Sequence, residues 1–170
     1  MNKALYERYA DYYINKFANI KGLTITKKWV TEDILHVEIS TSLPSFEFFM
    51  GIFPYMICFD GICVCDHGID FDNIETVDAK KVYKLLDEES ELIKTFIKEG
   101  IFVFAYKNDK VVVSMSTDVM DREKALKDLN IEKFYNEHKL KQMPAFEELD
   151  RVLLKDFYNN IIYEYDAKSK

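Results

Sequence analysis

Cys58, Cys63, Cys65 and His67 lie within ten residues of one another. Thiolates and imidazoles are the ligands zinc prefers, and a thiol beside an imidazole is also a nucleophile with its base. The Asp60-Gly61 pair between apolar flanks reads as a two-residue hairpin turn, which places Cys58 opposite Cys63. The two-residue strand period then puts Cys63, Cys65 and His67 on one face. Distance counts against a metal centre. Two strand steps span roughly 7 Å, so His67 stands about 13 Å from Cys63 unless the chain bends at Asp66. The expected role of the cysteines is therefore small apolar packing in the sheet. Zinc on Cys63, Cys65 and His67 is the alternative. A cysteine nucleophile would pair Cys65 or Cys63 with His67, and no third group is identifiable to orient the imidazole.

The following stretch, Asp66-His67-Gly68-Ile69-Asp70-Phe71-Asp72-Asn73, is rich in hard oxygen ligands suited to Mg²⁺ or Ca²⁺. The spacing of an EF-hand loop is absent. What sets the segment apart is its charge. Residues 1–59 hold six acids and six bases, residues 60–78 hold six acids and no base, and residues 79–170 hold 18 acids and 17 bases. Nearly all of the net −7 therefore sits in 19 residues. Such a patch attracts a basic surface and speeds encounter with it. Asp66, Asp70, Asp72 and Glu75 are the expected partner-binding residues, and a small metal-dependent or cysteine/histidine hydrolase centred on 63–72 is the competing reading.

The chain lacks the commoner catalytic signatures. Its five glycines are scattered, so no GxxxxGK[ST] or GxGxxG loop exists to cradle phosphate on backbone amides. Neither GxSxG, HExxH nor CxxC occurs. His36 falls on the polar side of a strand alternation and His138 among charged helix residues, both expected as surface or structural histidines. No catalytic residue and no cofactor is expected.

The elements that must position these groups follow from periodicity. Leu5, Tyr9, Tyr13, Phe17 and Ile20 form a helical stripe widened by Tyr6 and Ala10, ending near Gly22. Leu23-Thr24-Ile25 and Leu35, Val37 and Ile39 alternate as strands. Phe46 to Phe53 and Tyr55 to Cys65 are apolar almost throughout, which predicts central strands covered on both faces. Asp78 caps a helix running to Gly100, with a break expected near Glu88-Glu89-Ser90. Ile101 to Tyr106 and Lys110 to Ser116 form a second hairpin. Short helices follow: one capped by Thr117 or Asp118 and running through Leu129, one over Ile131 to Gln142, and one carrying Phe146, Leu149, Leu153 and Phe157 at helical spacing. The sum is a single α+β domain over 1–170, sheet-rich at 23–116 and helical at 117–165. Its expected make-up is one antiparallel sheet of about five to seven strands, an N-terminal helix, a central helical pair and C-terminal helices.

An acidic balance opposes phosphate-rich and membrane partners, so no direct nucleic-acid binding is expected. The longest uncharged run, Phe48 to Phe59, is 12 residues and contains Gly51 and Pro54, too short and broken to span a bilayer. The start alternates charge where an export signal needs an apolar run. With three clustered cysteines and no disulfide framework, a cytoplasmic setting is expected. The composition suits a non-catalytic binding module for a protein with a basic surface; a homodimer through the tyrosine-rich first helix and the Phe146 to Tyr165 tail is a third reading.

The order of features resembles a family of short bacterial and prophage proteins grouped as a domain of unknown function. The phrases that carry the likeness are Glu38-Ile39-Ser40-Thr41-Ser42-Leu43-Pro44, Cys63-Val64-Cys65-Asp66-His67-Gly68, and Glu99-Gly100-Ile101-Phe102-Val103-Phe104 with Val111-Val112-Val113. The likeness covers about residues 1–130. Pro44 comes late, and His67 stands where the family favours a second Asp. The resemblance implies an α+β fold and a mobile-element or host-defence setting, hence an inhibitor or immunity-type antagonist of a basic partner such as a nuclease. It carries over no catalytic residues.

Overall fold

The computed structural model describes residues 2–43, 47–61, 64–117 and 122–169, those at 64–67 and 169 by their backbone alone. The fold is α+β, and the chain divides into two compact units, Met1–Lys94 and Thr95–Lys170, each holding one antiparallel sheet.

In the first unit, α1 (Lys3–Asn15) starts where the Asn2 side chain accepts the Leu5 N–H at 3.2 Å, relieving one of the open amides of the first turn. Its stripe Leu5, Tyr6, Tyr9, Ala10 and Tyr13 is buried, as is Phe17 just beyond it. The aromatic stripe of α1 is thus packed inside the chain, where the Tyr13 ring lies 5.9 Å from Phe59. The sheet is a meander of β1 (Thr24–Trp29), β2 (Leu35–Ser40), β3 (Glu47–Ile52), β4 (Met56–Gly61) and β5 (Val64–Asp70), in that spatial order. The register aligns Leu35 with Ile52 and Ile57, and Val37 with Met50 and Phe59, all on the buried face. His36, Gly51, Cys58 and Gly68 form a row on the other face. The β3 and β4 strands are therefore covered on one face rather than on both. Their second apolar set, including Phe49 and Phe53, is half-buried.

The hairpin register differs from the sequence reading. Asp60 and Gly61 lie within β4, Gly61 pairs with Val64, and Cys58 pairs with Gly68 rather than Cys63. Gly61 does have positive φ, +138°, but for another reason: a Cβ there would lie 2.4 Å from the Glu47 carbonyl oxygen on β3. Close approach of two backbones, not a turn, demands the glycine. The ladder also slips by one residue between Phe59 and Gly61.

The helix α2 (Ala79–Glu99) begins at Asp78, whose carboxylate accepts the Lys80 N–H at 3.0 Å, and stops before Gly100. It is one continuous helix and not a pair. Ser90 donates its hydroxyl to the Asp87 carbonyl and the helix runs on, since Val82, Leu85, Leu86 and Ile93 keep one face buried through the polar stretch. The boundary between the two units falls within it.

The second unit holds β6 (Ile101–Lys107), β7 (Lys110–Thr117), α3 (Arg122–Lys127), α4 (Ile131–His138), β8 (Arg151–Lys155) and β9 (Ile161–Asp166), with sheet order β7-β6-β8-β9. Asn108 and Asp109 sit at φ 53° and 60°, the left-handed pair a two-residue primed turn requires. Of the two caps expected for the helix that follows, Thr117 instead ends β7 and donates its hydroxyl to the Ile101 carbonyl, while Asp118 lies outside the described residues. Val103, Ala105, Val113, Val152 and Leu154 face Phe134 and Tyr135 of α4 and the Phe146 ring to make the core. No helix among the described residues is long and apolar enough to cross a membrane.

The last third departs most from the helical period of its apolar residues. Phe146, Leu149, Leu153 and Phe157 do not share a helix; a single 3₁₀ turn at Phe146–Glu148 is followed by two strands. Val152, Leu153 and Leu154 are all buried, so β8 is a short apolar run covered on both faces, a pattern that periodicity cannot separate from a buried helix. The β8–β9 turn is built on Asp156, whose buried carboxylate accepts the Tyr158 N–H (2.9 Å), the Asn160 N–H (2.8 Å) and the Asn160 side-chain amide (2.9 Å). Asp156→Ala leaves these donors without an acceptor and should cost about 2 kcal/mol in urea unfolding. Asp156→Asn, which keeps one acceptor oxygen, should cost less.

Candidate binding surface

The acidic segment leaves the sheet at Asp70 and is folded by its own side chains. The Phe71 N–H donates to the Tyr55 carbonyl (2.5 Å), the Ile74 N–H to the Pro54 carbonyl (2.8 Å), and the fully buried Ile74 side chain pins the loop. Asn73 accepts the Glu75 N–H at 2.8 Å, and its carbonyl accepts the Thr76 N–H and hydroxyl, both at 3.1 Å. These local bonds replace a strand or helix ladder and hold the backbone in a turn.

The six acids of 60–78 consequently have different duties. Asp60 accepts the neighbouring Gly61 N–H (2.7 Å), Asp78 caps α2, and Glu75 accepts the Asn2 N–H at 2.6 Å and so ties the loop to the start of α1. Asp70 and Asp72 are exposed and, among the described residues, neither has a hydrogen-bond or ion-pair partner. They are brought together with Phe71, Asn73, Thr76 and Val77 around an open depression of about 430 Å³. Of the four residues expected to bind a partner, two line this depression and Glu75 is engaged internally. The side chain of Asp66 lies outside the described residues.

The same holds for the alternative chemistry. Cys63 is outside the described residues, as are the side chains of Cys65 and His67. Among the described residues no three His, Cys, Asp or Glu side chains converge as a metal site. Cys58 packs across Gly51, where a Cβ would come within 3.0 Å of its Sγ and 2.7 Å of the Phe53 ring. His36, in the same row, stands 6.4 Å from that ring; burial holds its imidazole below the ordinary value and the neighbouring Lys28 adds to this. It is therefore neutral at physiological pH. The His138 Nδ1 lies 2.7 Å from the Phe134 carbonyl, a local contact inside α4.

A second surface feature escaped the sequence reading. Glu7, Arg8, Asp11, Tyr12 and Tyr83 border an open groove of about 640 Å³ between α1 and α2. Its acids are neutralised from β1: Lys27 pairs with both Glu7 and Asp11, and the Trp29 indole donates to Glu7 at 2.7 Å. Only the tertiary fold sets Lys27 beside residues some 20 positions earlier. The Lys27 ammonium holds the Glu7 carboxyl below its usual range, with the indole bond adding to it, while Asp11 and then Glu7 raise Lys27. A carboxyl depressed in the folded state stabilises above its unfolded pKa, and that contribution is lost as pH falls through the folded value. Lys27→Met should thus destabilise the protein at pH 7, and the gap to the parent should close below about pH 4, where carboxylates protonate. Urea titrations at the two pH values check this.

No family model, curated protein or solved structure matches this chain.

Proposed function

We propose that this chain is a non-catalytic binding module that works in the cytoplasm and docks the basic surface of a protein partner through the loop after β5, as an inhibitor or immunity-type antagonist of a nuclease would. The observation that carries the reading is the pair Asp70 and Asp72: exposed carboxylates with no partner among the described residues, at the rim of a depression, within a segment holding six acids and no base. Acids that serve only the fold are expected to be capped or paired, as Asp78 and Asp156 are. Two left unpaired on one rim repel each other, and an approaching cation relieves that repulsion.

The test uses a partner captured on the parent chain. Converting Asp66, Asp70, Asp72 and Glu75 to their amides should lower its association rate about tenfold at low salt and flatten the salt dependence, leaving dissociation less affected. Because Glu75 also holds Asn2, the Asp70→Asn/Asp72→Asn pair alone should carry most of the loss. An unchanged association rate rejects the proposal.

A further inference from the structure

We propose that the open edge of β5 receives an extended segment of the partner as an added antiparallel strand, with lysine or arginine on one face and apolar residues on the other. This rests on the binding reading above for the sign of the partner's charge; the mode of docking is independent of it.

β5 ends the five-stranded sheet, and among the described residues no strand pairs with its outer edge. Which of its backbone groups point outward follows from the ladder. The Phe71 N–H donates to the Tyr55 carbonyl across the β4–β5 pair. Antiparallel pairs alternate between bonded and non-bonded, so Ile69 with Ile57 is a bonded pair, whereas Asp70 with Met56 and Gly68 with Cys58 are not. Gly68 is indeed closely apposed, since a Cβ there would lie 3.1 Å from the Cys58 Cα. Gly68 and Asp70 therefore turn their N–H and C=O away from β4, toward solvent, and both residues are exposed.

Side chains along this edge define what fits. Leu35, Ile52, Ile57 and Ile69 make one cross-strand row; the first three are 0% exposed and Ile69 is 43% exposed. The core row runs off the sheet uncovered, and an apolar residue on an added strand would continue it. On the other face Gly68 presents no side chain and Asp70 a carboxylate, with Asp72 just past the strand end. A basic residue opposite Asp70 would sit between these two acids. Alternating basic and apolar residues satisfy both faces at once.

The other three edges are closed to this chemistry. β1 carries Lys27 and Lys28, the ladder of β7 is irregular beside Val111, and on β9 Glu164 faces Arg151 while Asp166 accepts the Lys168 N–H. A second copy of the chain is disfavoured at β5, because edge-to-edge pairing would set Asp70 and Asp72 against their equals.

The experiment titrates the full chain with synthetic peptides: one alternating lysine and valine, one of the same composition with its lysines and valines in separate blocks, and two alternating peptides N-methylated at either the lysine or the valine amides. In the added strand the residue opposite Asp70 shares its face and turns its own amide toward β5, so the lysine amides make the bonds. The alternating peptide should bind at least about tenfold tighter than the block peptide, the margin two backbone bonds supply. Methylation at lysine amides should abolish that margin, and methylation at valine amides should keep it. Asp70→Pro, which removes an outward N–H without touching the β4 ladder, should lose the margin at unchanged thermal stability, and Asp70→Asn should retain it at lower affinity. Equal binding of alternating and block peptides, lost together in Asp70→Asn/Asp72→Asn, overturns strand addition and leaves the acidic surface standing. Binding of neither peptide overturns both. A dimer in sedimentation that Asp70→Pro dissolves assigns the edge to a second copy and overturns the proposal.

Discussion

Phe102→Ala should lower the unfolding free energy by about 3–5 kcal/mol, the range for emptying a large aromatic site in a core. Phe102 is fully buried on β6, an inner strand of its sheet flanked by β7 and β8. Its ring sits 5.4 Å from Phe96 in the last turn of α2, edge to face, and 5.9 Å from Phe157 in the β8–β9 turn. The three rings join a helix end, an inner strand and a turn, and the strand is held by hydrogen bonds on both sides. The backbone therefore cannot sink into the void, and the cost should stand near the top of the range. Phe102→Leu, which keeps most of the volume, should cost about 1 kcal/mol. Urea unfolding of both variants measures the difference; a loss under 1 kcal/mol for the alanine would contradict this packing.

Gly61→Ala should cost about 2–4 kcal/mol, and Gly51→Ala no more than about 1 kcal/mol, although both glycines lie in strands. At Gly61 the added methyl meets fixed atoms, the Glu47 carbonyl oxygen at 2.4 Å and the Phe48 Cα at 2.9 Å, at a φ of +138° that side chains avoid. At Gly51 it meets the Phe53 ring at 2.7 Å and the Cys58 Sγ at 3.0 Å, which can rotate aside. Were Gly61 the second residue of a tight turn, as Asp60-Gly61 suggests in the sequence, alanine would cost only about 1–2 kcal/mol for its left-handed conformation. The paired measurement thus reads the register of the β4–β5 hairpin: similar losses at both sites would restore the turn.

Local signals succeeded where one side chain decides the local backbone. Asp78 before Ala79 and Gly100 after Glu99 mark the ends of α2, and Asn108-Asp109 marks the β6–β7 turn, because a cap or a left-handed residue acts within a few positions. The same kind of signal misled at Asp60-Gly61, where the glycine answers to Glu47, 14 positions earlier and on another strand. The tail failed for a related reason. Phe146, Leu149, Leu153 and Phe157 match a helical period, yet Phe146 and Leu149 join the core beside α4 while Phe157 packs against Phe102. Asn159 at φ 67° beside Asn160 is the turn signal that separates Phe157 from the strand after it.

By itself the sequence determined the α+β class, the helix that opens the chain, and the concentration of negative charge between Asp60 and Asp78. Those properties depend on composition and on spacing over a few residues. The tertiary structure alone decided that the strands form two sheets, that β5 is an edge, and that Glu75 and Asp78 serve the fold while Asp70 and Asp72 have no partner among the described residues. Pairing partners come from distant parts of the chain, and a charge is functional or structural according to which donor the fold brings to it.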